Sequence, residues 1–405
     1  MSKLEELIAE LCPDGVKYKE LWEVTIWDKR FNAVDNNKQP RIIKYPSLLA
    51  KDLFALEQKD GDVFLLSTGE QTGWTTEAVA GDKLCKGEVV SIPWGKSRAV
   101  KDVMKYYKGK FVTADNRIAT SSDVDTLLNK YLYYWMMTQS DIIDSFYRGS
   151  GLKHPSMKDV LDMKIPVPPI EVQIEIVRIL DNFTELTAEL TAELTARKKQ
   201  YEYYRDELLT FGDEVETKSL RHLVTFKNGK GHEKVIVNNG KYIVVNSKFI
   251  STNGEVKKYS DRQICPLYMN DVLMVMSDLP NGRALAKCFL VDANDKYTLN
   301  QRIGCFHTND EHIICTKFLL YILNRNRQLL RYDNGADQTN LRKNDILDMR
   351  IPVPSLDTQK KIVEILNRFD TLCNDISTGL PAEIEARKKQ YEYYRDKLLT
   401  FKELS

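Results

Sequence analysis

Few residues in this chain are of the kinds that carry out chemistry. Its five histidines, at 154, 222, 232, 307 and 312, are scattered without a nucleophile context, so no general acid–base constellation is formed by pattern. No N-P-P-[FY] of an adenine methyltransferase occurs. The nearest approach to a phosphate-binding loop, Gly95–Ser97, has Val90 where the first glycine of G-x-x-x-x-G-K-[ST] is required. A nucleotide site and an enzyme are therefore not expected.

Seven cysteines include no C-x-x-C pair, which argues against a disulfide framework and a zinc ribbon. Cys305-x-His307 followed by His312-x-x-Cys315 matches no familiar zinc spacing and reads as strand, turn and strand with cysteines as small buried hydrophobes. No metal is expected. Uninterrupted apolar segments are absent too: nothing approaches the roughly eighteen residues of a membrane span, and the N-terminal MSKLEELIAEL has no signal-like apolar core. The chain is expected in the cytoplasm, away from membrane.

What remains is ordinary globular composition, 42% hydrophobic and 29% charged over 405 residues, enough for two or three domains. The net charge of +1 hides a division. Residues 217–345 carry 20 Lys/Arg against 12 Asp/Glu, residues 16–150 carry 20 against 18, and residues 171–210 carry 5 against 9. A surplus of positive charge on a compact segment favours a polyanion such as nucleic acid.

The strongest signal is repetition. RKKQYEYYRD occurs unchanged at Arg197–Asp206 and Arg387–Asp396, and residues 160–183 align with 346–369. VTADNRI (112–118) answers YTLNQRI (297–303), and GDVFLLSTGEQTG (61–73) answers NDVLMVMSDLPNG (270–282). The chain thus alternates globular and helical segments in a duplicated unit of roughly 200 residues. Each helical segment follows a proline stop, IPVPP or IPVPS, which holds the approach extended.

Beyond the stops the apolar residues keep a heptad period, from Ile176, Leu180 and Phe183 to Tyr201, Tyr204 and Leu208, and again from Ile362, Leu366 and Phe369 to Tyr391, Tyr394 and Leu398. Two such helices, each on the order of 60 Å long at 1.5 Å per residue, are expected to pair with each other. TGLP at 378–381 sits on a stutter, where Gly379 and Pro381 should interrupt the second helix. The fold class expected is α+β: two globular heads alternating with two long helices paired as an antiparallel coiled coil, a pseudo-two-fold repeat. The expected boundaries are head one at 1–165, a central helix at 166–212, head two at 213–351 and a C-terminal helix at 352–405.

The repeated blocks, IPVPP..VQ..IV.ILD.F and IPVPS..TQ..IV.ILNRF, each leading to ARKKQYEYYRD.LLTF, with TAEL units at Thr187–Leu190 and Thr191–Leu194, resemble the specificity subunits of type I restriction-modification enzymes. The resemblance spans the chain and is weakest in the heads, which in that family are target recognition domains. It implies a non-catalytic subunit that recognises an asymmetric bipartite site on double-stranded DNA. It further implies two partner methyltransferase subunits, which bind S-adenosylmethionine, and motor-nuclease subunits; this chain itself holds no cofactor. The rival reading is a two-headed protein scaffold with a coiled-coil spacer and no affinity for DNA.

DNA-contact candidates are polar side chains in glycine-punctuated loops, since Arg and Lys suit guanine and phosphate while Asn and Gln suit adenine. In the first head these are Gln71, Thr72, Lys96, Ser97, Arg98, Asn116, Arg117, Arg148 and Lys153. In the second they are Asn281, Arg283, Asn300, Gln301, Arg302, Gln338, Thr339, Asn340 and Arg342. Arg117 and Arg302, equivalent in the repeat, could serve the fold instead. Tyr201, Tyr204, Tyr391 and Tyr394 continue the buried stripe, which leaves Arg197, Lys198, Lys199 and Tyr203, with Arg387, Lys388, Lys389 and Tyr393, as candidates for docking a partner subunit.

Overall fold

The computed structural model describes residues 3–67, 72–95, 98–114, 116–279, 284–333, 335–375 and 378–404. Two compact units divide the chain: the first is assembled from both ends of the sequence, and the second is one continuous segment. The first holds Met1–Leu190 with Ile384–Ser405, and the second holds Thr191–Glu383. The central helix, Ile170–Leu208, therefore gives its first half to one unit and its second half to the other.

In the first unit, Cys85–Pro93 and Lys105–Ala114 form a long antiparallel pair at the middle of a seven-stranded sheet. The sheet is buried on both faces here: Val90 and Ile92 join one cluster, while Val89 and Phe111, on the opposite face, join another with Leu66 and Ile118. The helix Asn129–Thr138 covers one side through Tyr131, Leu132 and Trp135. Among the described residues the second unit instead has two four-stranded sheets, one centred on Ile303–Thr308 and Val272–Val275, the other with Tyr242–Val245 paired in parallel to its edge strand Tyr297–Leu299. The heads have diverged in topology as well as in sequence.

One expected equivalence does not hold. Val272–Val275 pairs with Ile303–Thr308, and the strand in that position in the first head is Cys85–Pro93, paired with Asn116–Ser121. Val63–Leu66 lies beyond, against Lys105–Ala114. The match of 61–73 to 270–282 thus reflected a shared pattern of glycine or asparagine, acid and apolar run, which any buried strand after a turn can show.

Where the heads meet their helices the two units agree closely. Lys17–Glu20 pairs antiparallel with Lys164–Val167, and Thr217–Ser219 with Arg350–Pro352, so each proline stop is an edge strand, the position proline tolerates. Gln173 and Gln359 are each fully buried. The Gln173 amide donates to the carbonyls of Thr126 and Pro168 while its oxygen accepts from the Leu128 N–H. Gln359 does the same with Ile313, Pro354 and Cys315. One side chain thus satisfies three backbone groups at the junction of proline stop, long helix and head helix.

Gln173→Ala should leave those three groups buried and unpaired, costing about 3 kcal/mol. That lowers the melting temperature of the first unit by roughly 10 °C, and Gln359→Ala should do so for the second. Calorimetry on the two variants checks this; a loss under about 1 kcal/mol would show that the junction does not depend on the amide.

Antiparallel helix pairing appears within each unit. Phe183 stacks on Tyr394 with ring centroids 5.5 Å apart, and Phe369 stacks on Tyr204 at 5.7 Å. These are the same two positions of the repeat with the roles of the copies exchanged. The second helical segment is not one rod: it runs Leu356–Asn374, breaks, and resumes as Leu380–Leu398. Gly379 occupies the break, where a Cβ would lie 2.4 Å from the Thr371 carbonyl oxygen, so only glycine fits. The expected single length of about 60 Å holds for the central helix, 39 residues long, and not for the second, which is interrupted as TGLP suggested. Ile376, on the expected stripe, falls outside the described residues.

Candidate nucleic-acid interface

In the first head, three of the expected loops come together. The Tyr147 hydroxyl donates to the Pro93 carbonyl at 2.6 Å, and the His154 Nδ1 lies 2.9 Å from the Trp94 carbonyl oxygen with the two rings 4.4 Å apart. Arg117 lies over both Phe31 and Trp94, at 5.4 and 5.9 Å from the ring centroids. Arg98, Arg148 and Lys153 are exposed around this aromatic floor, and Arg148 pairs loosely with Asp159 at 3.2 Å. Thr72 is half-buried in a different loop. Gln71, Lys96 and Ser97 lie outside the described residues, as does the side chain of Asn116.

In the second head the corresponding convergence uses different residues. Ser277–Asp278 pairs antiparallel with Thr339–Asn340, and the Gln338 amide donates to the Ser277 hydroxyl at 2.7 Å. The Met276 N–H donates to the Arg302 carbonyl, which brings the loop of Asn300, Gln301 and Arg302 alongside. Gly229 makes this possible, because a Cβ there would lie 1.8 Å from the Asn300 carbonyl oxygen. Gln301, Arg302, Gln338, Asn340 and Arg342 are exposed, while Asn300 is half-buried and Thr339 buried. Gln301 is engaged by Glu233 at 2.6 Å. Asn281 and Arg283 fall outside the described residues.

Arg117 and Arg302 part ways. The first is half-buried, with its guanidinium over two aromatic rings. The second is exposed on a turn at φ +67°, a left-handed conformation uncommon for a non-glycine residue, and its side chain is left to solvent. Sequence reasoning missed Trp94 and His154, although both flank the glycine-rich loops that drew attention to their neighbours. The expected strand, turn and strand at 303–315 is instead a strand, Ile303–Thr308, and a helix, Thr316–Leu323, capped at Cys315. His307 bonds Asp271 at 2.9 Å, and burial pushes the Cys305 thiol up. Among the described residues no three metal-ligating side chains converge.

The decamers present a second kind of surface. Tyr201 and Tyr391 turn inward against their own head's core, where burial pushes both hydroxyls up to about 12. Tyr203 and Tyr393 point outward, 64% and 62% exposed, each set edge-on to the next tyrosine at 5.4 Å. Lys198, Lys199, Lys388 and Lys389 are exposed beside them. Arg197 and Arg387 each donate to the glutamine three residues on, Gln200 and Gln390. Packing holds one position of the ten in this way, Tyr201 and Tyr391; Tyr204 and Tyr394, expected on the buried stripe, are instead 40% exposed and stack on Phe369 and Phe183.

Two segments, residues 51–197 and 212–386, match the family described as type I restriction modification DNA specificity domain. The chain is 35% identical over 312 residues to the EcoR124I/EcoR124II specificity subunit of Escherichia coli, covering 70% of this chain and 74% of that protein. It is 29% identical over 334 residues to a putative specificity subunit of Haemophilus influenzae, covering 78% and 83%. The S subunit of a type I restriction-modification system from M. genitalium has the same fold, with a TM-score of 0.59 at 15% identity over 95% of this chain and 96% of that one. No helix among the described residues is long and apolar enough to cross a membrane. Matched in both of its repeats, this chain belongs to the type I restriction-modification DNA specificity family.

Proposed function

We propose that this chain selects the DNA site of a type I restriction-modification complex and catalyses nothing itself. Each head reads one half of an asymmetric bipartite site on double-stranded DNA, using the loop clusters around Arg117 and around Arg302. The outward faces of the decamers dock two modification subunits, which carry S-adenosylmethionine, and motor-nuclease subunits join the assembly. The observation that carries this reading is a repeated frame with unlike heads. A dimeric reader of DNA mirrors the symmetry of its site, so one frame bearing two different heads suits two different half-sites.

The test is head replacement. When residues 217–345 are exchanged for the corresponding part of a relative, methylome sequencing should show one half of the methylated motif changed and the other retained. A change in both halves would refute independent readout.

A further inference from the structure

The polar groups around the aromatic floor of the first head differ in what they can do on DNA. Arg98, Arg148 and Lys153, exposed there, carry donors and no acceptor, which suits phosphate oxygens and the acceptor edge of guanine. None of the three side chains can receive a hydrogen bond from a base.

His154 can. Its Nδ1 lies 2.9 Å from the Trp94 carbonyl oxygen, and a carbonyl accepts without donating, so the proton of the neutral imidazole sits on Nδ1 and is given to that oxygen. The tautomer is thereby fixed, and Nε2 keeps its lone pair. The side chain is exposed, and Nε2 has no hydrogen-bond partner among the described residues.

The direction of that nitrogen is held from several sides. The Trp94 ring lies against the imidazole with centroids 4.4 Å apart. His154 and Pro155 pair antiparallel with Arg148 and Tyr147, and the Tyr147 hydroxyl is bonded in turn to the Pro93 carbonyl. Gly95 lets the loop close over this point, since a Cβ there would lie 2.6 Å from Leu152. An exposed side chain oriented in this way loses little freedom on binding.

We infer that His154 is a specificity-determining residue of the first head: its Nε2 accepts a hydrogen bond in the major groove from the exocyclic amino group of one base, adenine N6 or cytosine N4. On that edge guanine presents N7 and O6 and thymine presents O4, all acceptors, and a phosphate oxygen offers the neutral ring no proton. His154 thus selects, on one strand, the class of base that the surrounding cations cannot read. The inference rests on the reading of DNA proposed for this head, and adds to it one residue and the bases it chooses.

The test uses the whole complex. His154→Ala, and His154→Asn, which keeps an amide donor for the Trp94 carbonyl, should each relax one position of the methylated motif at which the unaltered chain requires adenine or cytosine. The other half-site should stay as it was. In short duplexes, N6-methyladenine or N4-methylcytosine at that position keeps base pairing and replaces the amino hydrogen that points into the groove. It should weaken binding by the unaltered complex about tenfold and leave binding by the variants unchanged. A motif identical in both variants would overturn the inference, as would equal weakening in variant and unaltered complexes, or a site at which no such methylated base weakens the unaltered one. Absence of sequence-dependent binding by the unaltered complex would instead refute the reading of DNA itself, and this assignment with it.

Discussion

Tyr203→Ala and Tyr393→Ala together will strip this chain of its modification subunits, and either change alone will leave a one-to-one assembly. Both rings are more than half exposed, so their removal costs the fold little; surface substitutions away from packing usually fall within about 0.5 kcal/mol. Exposed aromatic side chains at the centre of an interface are a different matter, since truncating such an anchor costs about 2 kcal/mol or more, a loss of roughly thirtyfold. The neighbouring contacts that hold each helix survive the change, because Tyr204 and Tyr394 keep their stacks on Phe369 and Phe183. Mass measurement of the purified complexes reads the outcome. A double variant that still carries two modification subunits would place docking elsewhere on the chain.

Deleting Thr187–Leu190 will shorten the unread spacer of the DNA site by one base pair and leave both half-sites unchanged. The four residues lie inside the continuous central helix, Ile170–Leu208. Their loss removes about 6 Å of rise and about 400° of turn, some 40° net. One base pair advances about 3.4 Å and turns about 35°, so rotation favours one and translation tolerates one or two. The stack of Phe183 on Tyr394 precedes the deleted residues and that of Tyr204 on Phe369 follows them. Each unit therefore retains its own helix pairing, and the heptad takes up the loss as a local change of phase. The methylated motif of cells carrying the deletion is the measurement. An active enzyme with an unaltered spacer would sink the idea that this helix sets the spacing.

Much of this molecule is legible in its sequence, because its determinants are periodic and local. Duplication shows in the decamers, helix length in the heptad, and interruption in TGLP, since glycine and proline act on the backbone at their own positions. The two outward tyrosines were also legible, as members of an identical block that fall off the apolar stripe. The reading loops were legible only in outline: Arg117 and Arg302 share a motif, yet one is covered by Phe31 and Trp94 and the other lies open.

The sequence by itself determined the repeat, the helices, the proline stops and the family, since each rests on residues close together in the chain. Tertiary structure alone decided which half of each helix serves which head. The decamer at Arg387–Asp396 belongs to the unit of the first head and that at Arg197–Asp206 to the unit of the second. It also decided that Cys85–Pro93, and not Val63–Leu66, takes the place beside the shared strand. These outcomes depend on side-chain volume and partner choice between residues far apart in sequence. An apolar pattern states that a face must be covered and leaves open what will cover it.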